Sequence, residues 1–580
     1  MIYLENMKLQ RLIIKNFRGL KGENNVIDFS KSDIIFLIGQ NNVGKSTYLR
    51  AYEFFVNPRQ VALESDFYNY DSTTPVEMEG WFLKEAEDDQ VEDFVGTGRA
   101  QDPDWVAKWA DAQNIVKVRK RWTTKGGLFV KETYSPAEDD WKLNGFGGMD
   151  SLFAKYSPKP LAINAMEDQA SLNEKVNKLI QDRFIKNIKS TYGAEYDAAI
   201  TSILDLQKKI TDSADVSQLN DELNEHFGEI FDGLILKIQT DSEEKLKIED
   251  AFKKNHTIVV EKPGLPRKET FLQNGHGVIR QALFNFLAFL HDNAGGNVQK
   301  EYIILFEEPE LFLHPKVTFN LRESLYKLAQ DSPYQILCAT HSPMMIDMSK
   351  PHASLIRAVK DSEENTITYQ VGEDVFSADE ERKQRVQMIN RFNPHICEAF
   401  YADKVILVEG DTEAIVYRDL LRRFYPHEEV FVLNTGSKNN FPFFQEILTR
   451  FHIKHCAVHD VDTEYLANGH HNSAWALNQS IWDKVEEANR VEPGLARRYV
   501  HNANFENAHG YNLLAGKDKP LQAYKFAQTI SSVDEDVDCL RWLRDYLGPQ
   551  EILHDMDYVH ANAKTCEVIS LEKEHYRDLE

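Results

Sequence analysis

The sequence predicts a multidomain α/β protein, with two α/β series and a helical insertion inside the first. Three observations carry this. Near the N-terminus the apolar run DIIFLIG enters a glycine loop, and the helically spaced STYLRAYEFFV follows. Far downstream, YIILF and YQILCAT are two more apolar runs, each ending in polar or charged residues. Beyond residue 400 a second set, YADKVILVEG, EVFVLN, KHCAVHDVD and RRYVHNANFE, repeats the pattern. Short, nearly continuous apolar runs bounded by turn residues are the mark of strands buried on both faces of a parallel sheet.

Bulk properties narrow the class. At about 150 residues per domain, 580 residues give about four modules. Hydrophobic residues make up 42% of the chain, enough for several cores. No apolar run reaches the roughly 18 residues that suggest a membrane span. The start, MIYLENMKLQRLIIKNF, is interrupted by Glu5, Lys8 and Arg11, unlike a secretory leader. Cys338, Cys397, Cys456, Cys539 and Cys566 are too scattered for a zinc clip or a disulfide framework. A cytoplasmic protein without membrane association is expected. The net charge of -25 excludes a protein that coats DNA by overall positive charge, but leaves room for a nuclease with a locally basic channel.

The elements follow in order. RLIIKNF, NNVIDF and DIIFLIG read as strands, and Leu49, Tyr52 and Phe55 share one side of the helix after the loop. Residues 60–160 mix aromatic strands with Gly- and Asp-rich turns such as GGLFVKETY and NGFGGMD. Residues 165–255 turn helical, with acidic and basic faces too irregular for a long coiled coil. Either a solvent-exposed insertion or an oligomer contact fits that segment. The resulting division is 1–164, 165–255, 256–390 and 391–580.

Residues 39–46, GQNNVGKS, match a phosphate-binding loop at every required position. Gly39 lets the chain leave the strand tightly, and Gly44 keeps backbone amides open to phosphate. Asn41 and Asn42 line the loop. Lys45 reaches the terminal phosphates, Ser46 ligates magnesium, and Thr47 follows in the first helical turn, whose N-terminus attracts anions. In YIILFEEPELFLHP, Glu307 is placed on the metal side and Glu308 in the orientation of attacking water, with Glu310 as a spare acid. In ILCATHSP, His341 is placed near the γ-phosphate.

The GQNNVGKS, EEPELFLHP and THSP set resembles ATPases with an ABC-type head, the group of SMC and RecF-like proteins. That resemblance implies nucleotide sites closed between two copies, each completed by a signature segment. FLQNGHGVIRQALFNFLAFL stands where the signature belongs. Its Asn274, Gly275, His276 and Gly277 depart from Ser-Gly-Gly, though Gly275 and Gly277 still permit a close approach to phosphate. Arg280 and Gln281 are weaker helpers.

The run VILVEGDTE raises a second chemistry. Glu409 ends a strand, and Glu413 falls in the first turn of the helix that follows. In KHCAVHDVDTE, Asp460 and Asp462 share a side if the chain stays extended, and Glu464 repeats the relation if the strand continues. The C-termini of parallel strands gather at one sheet edge, so these acids converge without sequence proximity. Converging carboxylates repel without a cation, and magnesium or manganese suits them. Two such ions can activate water and stabilise the leaving oxygen of a phosphodiester. Asp411 reads as a helix-start residue, not a ligand.

Glu409 with the Asp460–Asp462 pair resembles the Toprim fold. An ATPase head joined to a C-terminal Toprim module resembles the OLD (overcoming lysogenisation defect) family of nucleases. In that family Glu413 matches the second acid of the first motif. The resemblance further implies an acid at Glu506, in YVHNANFENAHGYNLL, and a supporting lysine. Lys519 is the best match because Pro520 follows it, with Lys517 and Lys525 as rivals. The implied protein is an ATPase and metal-dependent DNA endonuclease of antiphage defence, with one Mg2+ beside ATP and two ions, Mg2+ or Mn2+, in the Toprim site. The implied partners are DNA, further copies of the chain in a homodimer or tetramer, and a defence-system protein or retron nucleic acid. Two other readings stand beside it: a repair or maintenance ATPase whose Toprim module binds DNA without cutting, and a Toprim primase or topoisomerase.

Overall fold

A computed structural model of the chain describes residues 7–83, 109–144, 157–166, 302–371, 394–466, 468–501, 504–510 and 518–547, with short stretches between 153 and 270 and residue 384. The chain divides into two compact units. One comprises Met1–Ala165 with Asn297–Glu580, and the other is Met166–Gly296. The described part of the second unit includes the antiparallel hairpin Val259–Glu261 and Lys268–Thr270. The predicted helical segment 165–255 lies mostly outside the described residues, as do the Gly275–Gly277 segment, Lys517 and Cys566.

Among the described residues the first unit contains three sheets. An antiparallel sheet is built from β1 (Lys8–Lys15), β2 (Asn25–Asp28), β4 (Val76–Leu83), β5 (Ile115–Trp122), β6 (Val130–Ser135) and β7 (Asp140–Leu143), in the order β2-β1-β4-β5-β6-β7. Burial alternates residue by residue along β4 and β5, which follows from one face lying on a core and the other facing out. The covered face packs on helix α1 (Lys45–Val56), where Phe54 meets Phe17 and Trp122 at ring distances of 5.0 and 4.6 Å.

A second six-stranded sheet joins β3 (Ile34–Ile38), β8 (Lys159–Ile163), β11 (Tyr302–Glu307), β12 (Gln335–Ala339), β13 (Leu355–Lys360) and β14 (Thr366–Gln370). Here β9 and β10 denote the two strands of the hairpin. The order is β14-β13-β3-β12-β11-β8, parallel throughout except for β14. Every residue of β3 and β12 is buried, which is why both read as unbroken apolar runs. Helix α2 (Pro315–Asp331) follows β11, with Pro315 in its first turn, where a missing N–H costs nothing.

The C-terminal sheet is wholly parallel, in the order β16-β15-β17-β18. Its strands are β15 (Lys404–Val408), β16 (Val430–Asn434), β17 (Lys454–Asp460) and β18 (Ala496–His501). Helices α3 (Asp411–Phe424), α4 (Phe441–Arg450), α5 (Ser473–Val491), α6 (Phe505–Ala508), α7 (Lys519–Thr529) and α8 (Asp538–Leu547) accompany it. Helix α3 packs Ala414, Tyr417 and Leu421 into a core shared with Trp475, Trp482 and Trp542. Among the described residues no helix is long and apolar enough to cross a membrane, and Cys338, Cys397, Cys456 and Cys539 are buried free thiols.

The sheet that contains β3 is tied to the segments that lead into β15 and β17 of the C-terminal sheet. Arg357, buried on β13, donates to the carbonyls of Phe400, Ala402, Phe451 and His452 at 3.0 to 3.2 Å. Tyr369 stacks on His452 with ring centres 4.0 Å apart.

Candidate functional site

The phosphate loop joins β3 to α1. Gly39 sits at φ 139°, and a Cβ there would lie 2.2 Å from the Ala358 carbonyl oxygen, so only glycine fits. Asn42 and Gly44 also take positive φ, at 63° and 92°. Lys45 is buried, its Nζ donating to the Gly39 and Gln40 carbonyls at 2.7 Å each and to His341 Nδ1 at 3.3 Å. Burial draws the Lys45 ammonium down to about 8 against the charges of Glu308 and Glu310. Ser46 is exposed at the helix start, and Thr47 N–H donates to the Gly44 carbonyl.

Burial, and then the charge of Lys45, push His341 down to about 4, so the ring is neutral at pH 7. Since Lys45 donates to Nδ1, the ring proton belongs on Nε2, which faces Glu308 Oε1 at 3.6 Å. Glu308 leaves the β11 end at φ 44° with its N–H bonded to the Ala339 carbonyl at 2.7 Å. Glu307 Oε2 accepts from Ala165 N–H at 3.3 Å. Glu310 has a definite place: its Oε1 accepts from Thr340 Oγ1 and from the N–H groups of His341 and Ser342, at 2.7, 3.0 and 3.1 Å. It therefore pins the loop that carries His341.

The second site lies at the C-terminal edge of the parallel sheet β16-β15-β17-β18. Glu409 follows β15, and its Oε1 accepts from the Asp460 N–H at 2.9 Å. Glu413 is buried in the first turn of α3. Burial raises Asp460 to about 9, with Glu409, Glu413, Asp462 and Glu506 adding to the effect in that order. Burial likewise lifts Glu409 to about 7, with Lys438 and the Asp460 N–H opposing and Asp462 and Glu413 reinforcing it. Glu413 is raised by burial, with Glu506 adding to it. Five of the acids picked from sequence thus act on one another. Asp460 Oδ1 is buried without a hydrogen-bond partner. An orphaned carboxylate oxygen amid mutually repelling acids suits a divalent cation, which Glu409, Glu413, Asp460, Asp462 and Glu506 have the chemistry to hold.

Two placements, those of Asp462 and Glu464, differ from the extended-chain picture. Strand β17 stops at Asp460, and Asp462 turns to φ 65°, so strand alternation does not bring it to the site. Its Oδ2 instead accepts from Lys438 Nζ at 2.8 Å. Glu464 lies beyond that turn, outside β17, where its carbonyl accepts from the Asn472 N–H at 2.8 Å. Lys519 Nζ is 4.0 Å from Glu506 Oε1, at the start of α7, with 66% of its side chain exposed. Lys525 is exposed further along α7, and Asp411 Oδ1 accepts from Asn434 Nδ2 at 2.8 Å, as a helix-start residue would.

A compact ligand-type group lies beside this edge. His501, His509 and Asp538 bring one ligating atom each within 4.8 Å of one another, a candidate single divalent-metal site. Its ring nitrogens are all hydrogen-bonded within the protein. His501 uses Asp538 Oδ2 at 3.2 Å and Tyr417 OH at 3.1 Å. His509 uses the Phe505 carbonyl at 2.7 Å and accepts from Cys539 N–H at 3.0 Å. An ion there would have to displace these bonds, whereas the carboxylate edge already presents an orphaned oxygen. Sequence reasoning missed Lys438 and His501. Lys438 stands two residues past the TG that ends EVFVLNTG, and a buried lysine after a parallel strand gives no periodic signal.

The fold and its two sites define an ATPase head of AAA type carrying a Toprim domain. A family model described as "AAA ATPase domain" matches residues 7–121 and 130–346. One described as "Overcoming lysogenization defect protein-like, TOPRIM domain" matches residues 400–462. The first match spans more than half of the chain, which therefore belongs to the AAA ATPase domain family, and its C-terminal part carries the OLD-like Toprim match. It is 24% identical to the Old nuclease of Escherichia phage P2, over 80% of this chain and 78% of that one. It is 26% identical to the OLD nuclease of Thermus scotoductus over 40% and 44%, and 22% identical to Endonuclease GajA of Bacillus cereus VD045 over 74% and 71%. Among solved structures, the SMC head domain from Thermotoga maritima aligns with 63% of this chain and 99% of its own, at 13% identity and a TM-score of 0.30.

Proposed function

We propose that the protein is an ATP-regulated, divalent-metal-dependent DNA endonuclease. The observation that carries this is the gathering of Glu409, Glu413, Asp460, Asp462 and Glu506 at one sheet edge, with an orphaned Asp460 oxygen, in the same compact unit as a complete phosphate loop. The relatives named as nucleases and endonucleases point the same way. When bound, the metal supplies an activated water and charge for the leaving oxygen of a phosphodiester. The chain supplies the rest. Glu409 and Asp460 hold the metal side, with Asp462, Glu413 and Glu506 completing the acid set. Lys519, exposed beside Glu506, neutralises charge developing on a nonbridging oxygen.

At the nucleotide site, Lys45 would leave the loop carbonyls for the phosphates, Ser46 and Glu307 would hold Mg2+, and Glu308 would orient the attacking water. The neutral His341 ring bridges Lys45 and Glu308. Phosphodiester hydrolysis needs no ATP energy, so ATP is assigned to gating. Residues 165–255 are assigned to pairing of copies, and the biological setting to antiphage defence.

The test is cleavage of plasmid and oligonucleotide DNA with Mg2+ or Mn2+, with and without ATP, by wild type, Lys45→Ala and Asp460→Ala. Metal-dependent cutting by wild type that Lys45→Ala leaves without nucleotide response supports the proposal. Equal cutting by wild type and Asp460→Ala would sink the site assignment.

A further inference from the structure

Lys438 is 4% exposed, in a turn just after the sheet edge, and it is not one of the acids that bring the site to notice. Its Nζ donates to the Asp460 carbonyl, to Asp462 Oδ2 at 2.8 Å and, at the limit of bonding distance, to the Val461 carbonyl at 3.5 Å. An ammonium carries three donors, and all three are directed at one three-residue turn. Asp462 sits at φ 65°, in the left-handed region, which aspartate enters more readily than most residues but still at a cost relative to glycine. Asn478 Nδ2 also donates to the Val461 carbonyl at 3.0 Å, and Val461 N–H bonds the His501 carbonyl at 3.1 Å. Neither of those contacts reaches the Asp462 carboxylate. Lys438 does, and by taking Oδ2 it leaves Oδ1 for ligation. Carboxylate ligands are commonly oriented this way by a fixed hydrogen bond to the second oxygen.

We propose that Lys438 is a positioning residue of the carboxylate site, holding the Asp460-Val461-Asp462 turn in its ligating conformation and aiming one Asp462 oxygen at the metal. This rests on the reading of that edge as a metal site. Positioning and simple charge balance predict opposite signs. Removing a positive charge beside a cation site tightens divalent binding, whereas removing the group that shapes a ligand weakens it.

The experiment is a Mn2+ titration of nucleotide-free full-length protein followed by electron paramagnetic resonance, with ATPase rate and thermal melting as controls. K438M is expected to bind Mn2+ about 10- to 100-fold more weakly, the usual cost of losing such a partner, with ATPase activity within about twofold of wild type. K438R, which keeps the charge and donors, is expected to recover part of the affinity. K438M that melts cooperatively and binds Mn2+ as tightly as wild type, or more tightly, overturns the proposal. Should K438M lose its cooperative melt, K438Q takes its place, and unchanged Mn2+ affinity in K438Q overturns it equally. Wild type that binds Mn2+ but does not cut DNA sinks the nuclease reading alone. Wild type that binds no Mn2+ sinks both.

Discussion

Gln40, inside the phosphate loop, donates from Nε2 to Asp403 Oδ1 at 2.9 Å and to Glu429 Oε2 at 3.2 Å. Those two acids stand one residue ahead of β15 and β16. The strand that delivers Glu409, and the one that leads to Lys438, therefore both begin against the nucleotide loop. Lys45 holds the Gln40 carbonyl at 2.7 Å, a bond it must give up to reach phosphate. Gln40→Ala is expected to keep ATPase activity within about threefold while flattening the effect of ATP on DNA cutting, since it removes both side-chain bonds from the nucleotide loop to the starts of β15 and β16. Cutting assays with and without ATP check it. An undiminished ATP response would rule out this route of coupling.

Asp460→Asn is expected to reduce metal-dependent cutting by at least about 100-fold and leave ATP turnover intact. The amide cannot ligate as an anion, yet it matches the carboxylate in size. Because Asp460 is held high by burial and by its acidic neighbours, the same change should also raise the thermal stability of metal-free protein. A melt in chelator that shows no gain would contradict the assigned repulsion.

The pH dependence has a definite sign. Glu409 rises from 4.5 to about 7 and Asp460 from 3.8 to about 9, chiefly through burial. A raised folded value means the contribution to stability is whole below the unfolded value and is lost as pH climbs through the folded one. Metal-free protein should thus lose stability from about pH 4 upward, most steeply from about pH 5 to 7, where both groups hold protons that the unfolded chain does not, and less steeply up to about pH 9. Metal binding displaces protons from the same carboxylates, so the rise in Tm caused by Mg2+ or Mn2+ should grow over that window. Melting curves in chelator and in metal at four pH values decide it. A metal effect that shrinks with pH would count against these ligands.

Arg357 donates to four carbonyls of the adjoining domain, and burial lowers it to about 10. Arg357→Met leaves buried acceptors unpaired, at about 1–3 kcal/mol each before relaxation. A loss of at least about 3 kcal/mol is expected. Calorimetry should then show the ATPase and Toprim parts melting separately. A single transition at the wild-type temperature would show that these bonds do little to join the parts.

The sequence by itself determined the two α/β series and the strand ends at which the candidate site residues stand. Strands β3, β11, β12, β15 and β17 are buried along nearly their whole length, so each appears as an apolar run, and the residues after it are those at a sheet edge. That is why Lys45, Glu307, Glu308, His341, Glu409 and Asp460 were legible: position along a strand is a local property. What only the tertiary structure decided depends on groups that meet across the sheet. Asp462 reaches its place through a left-handed turn and a lysine 24 residues earlier, not through strand alternation. Glu310 became a loop clamp because three donors happen to point at one oxygen. The Gln40 contacts span more than 360 residues of chain. Periodicity reports which face of an element is buried. It carries no record of which distant side chain will lie opposite, because that is fixed by strand order and register once the core has packed.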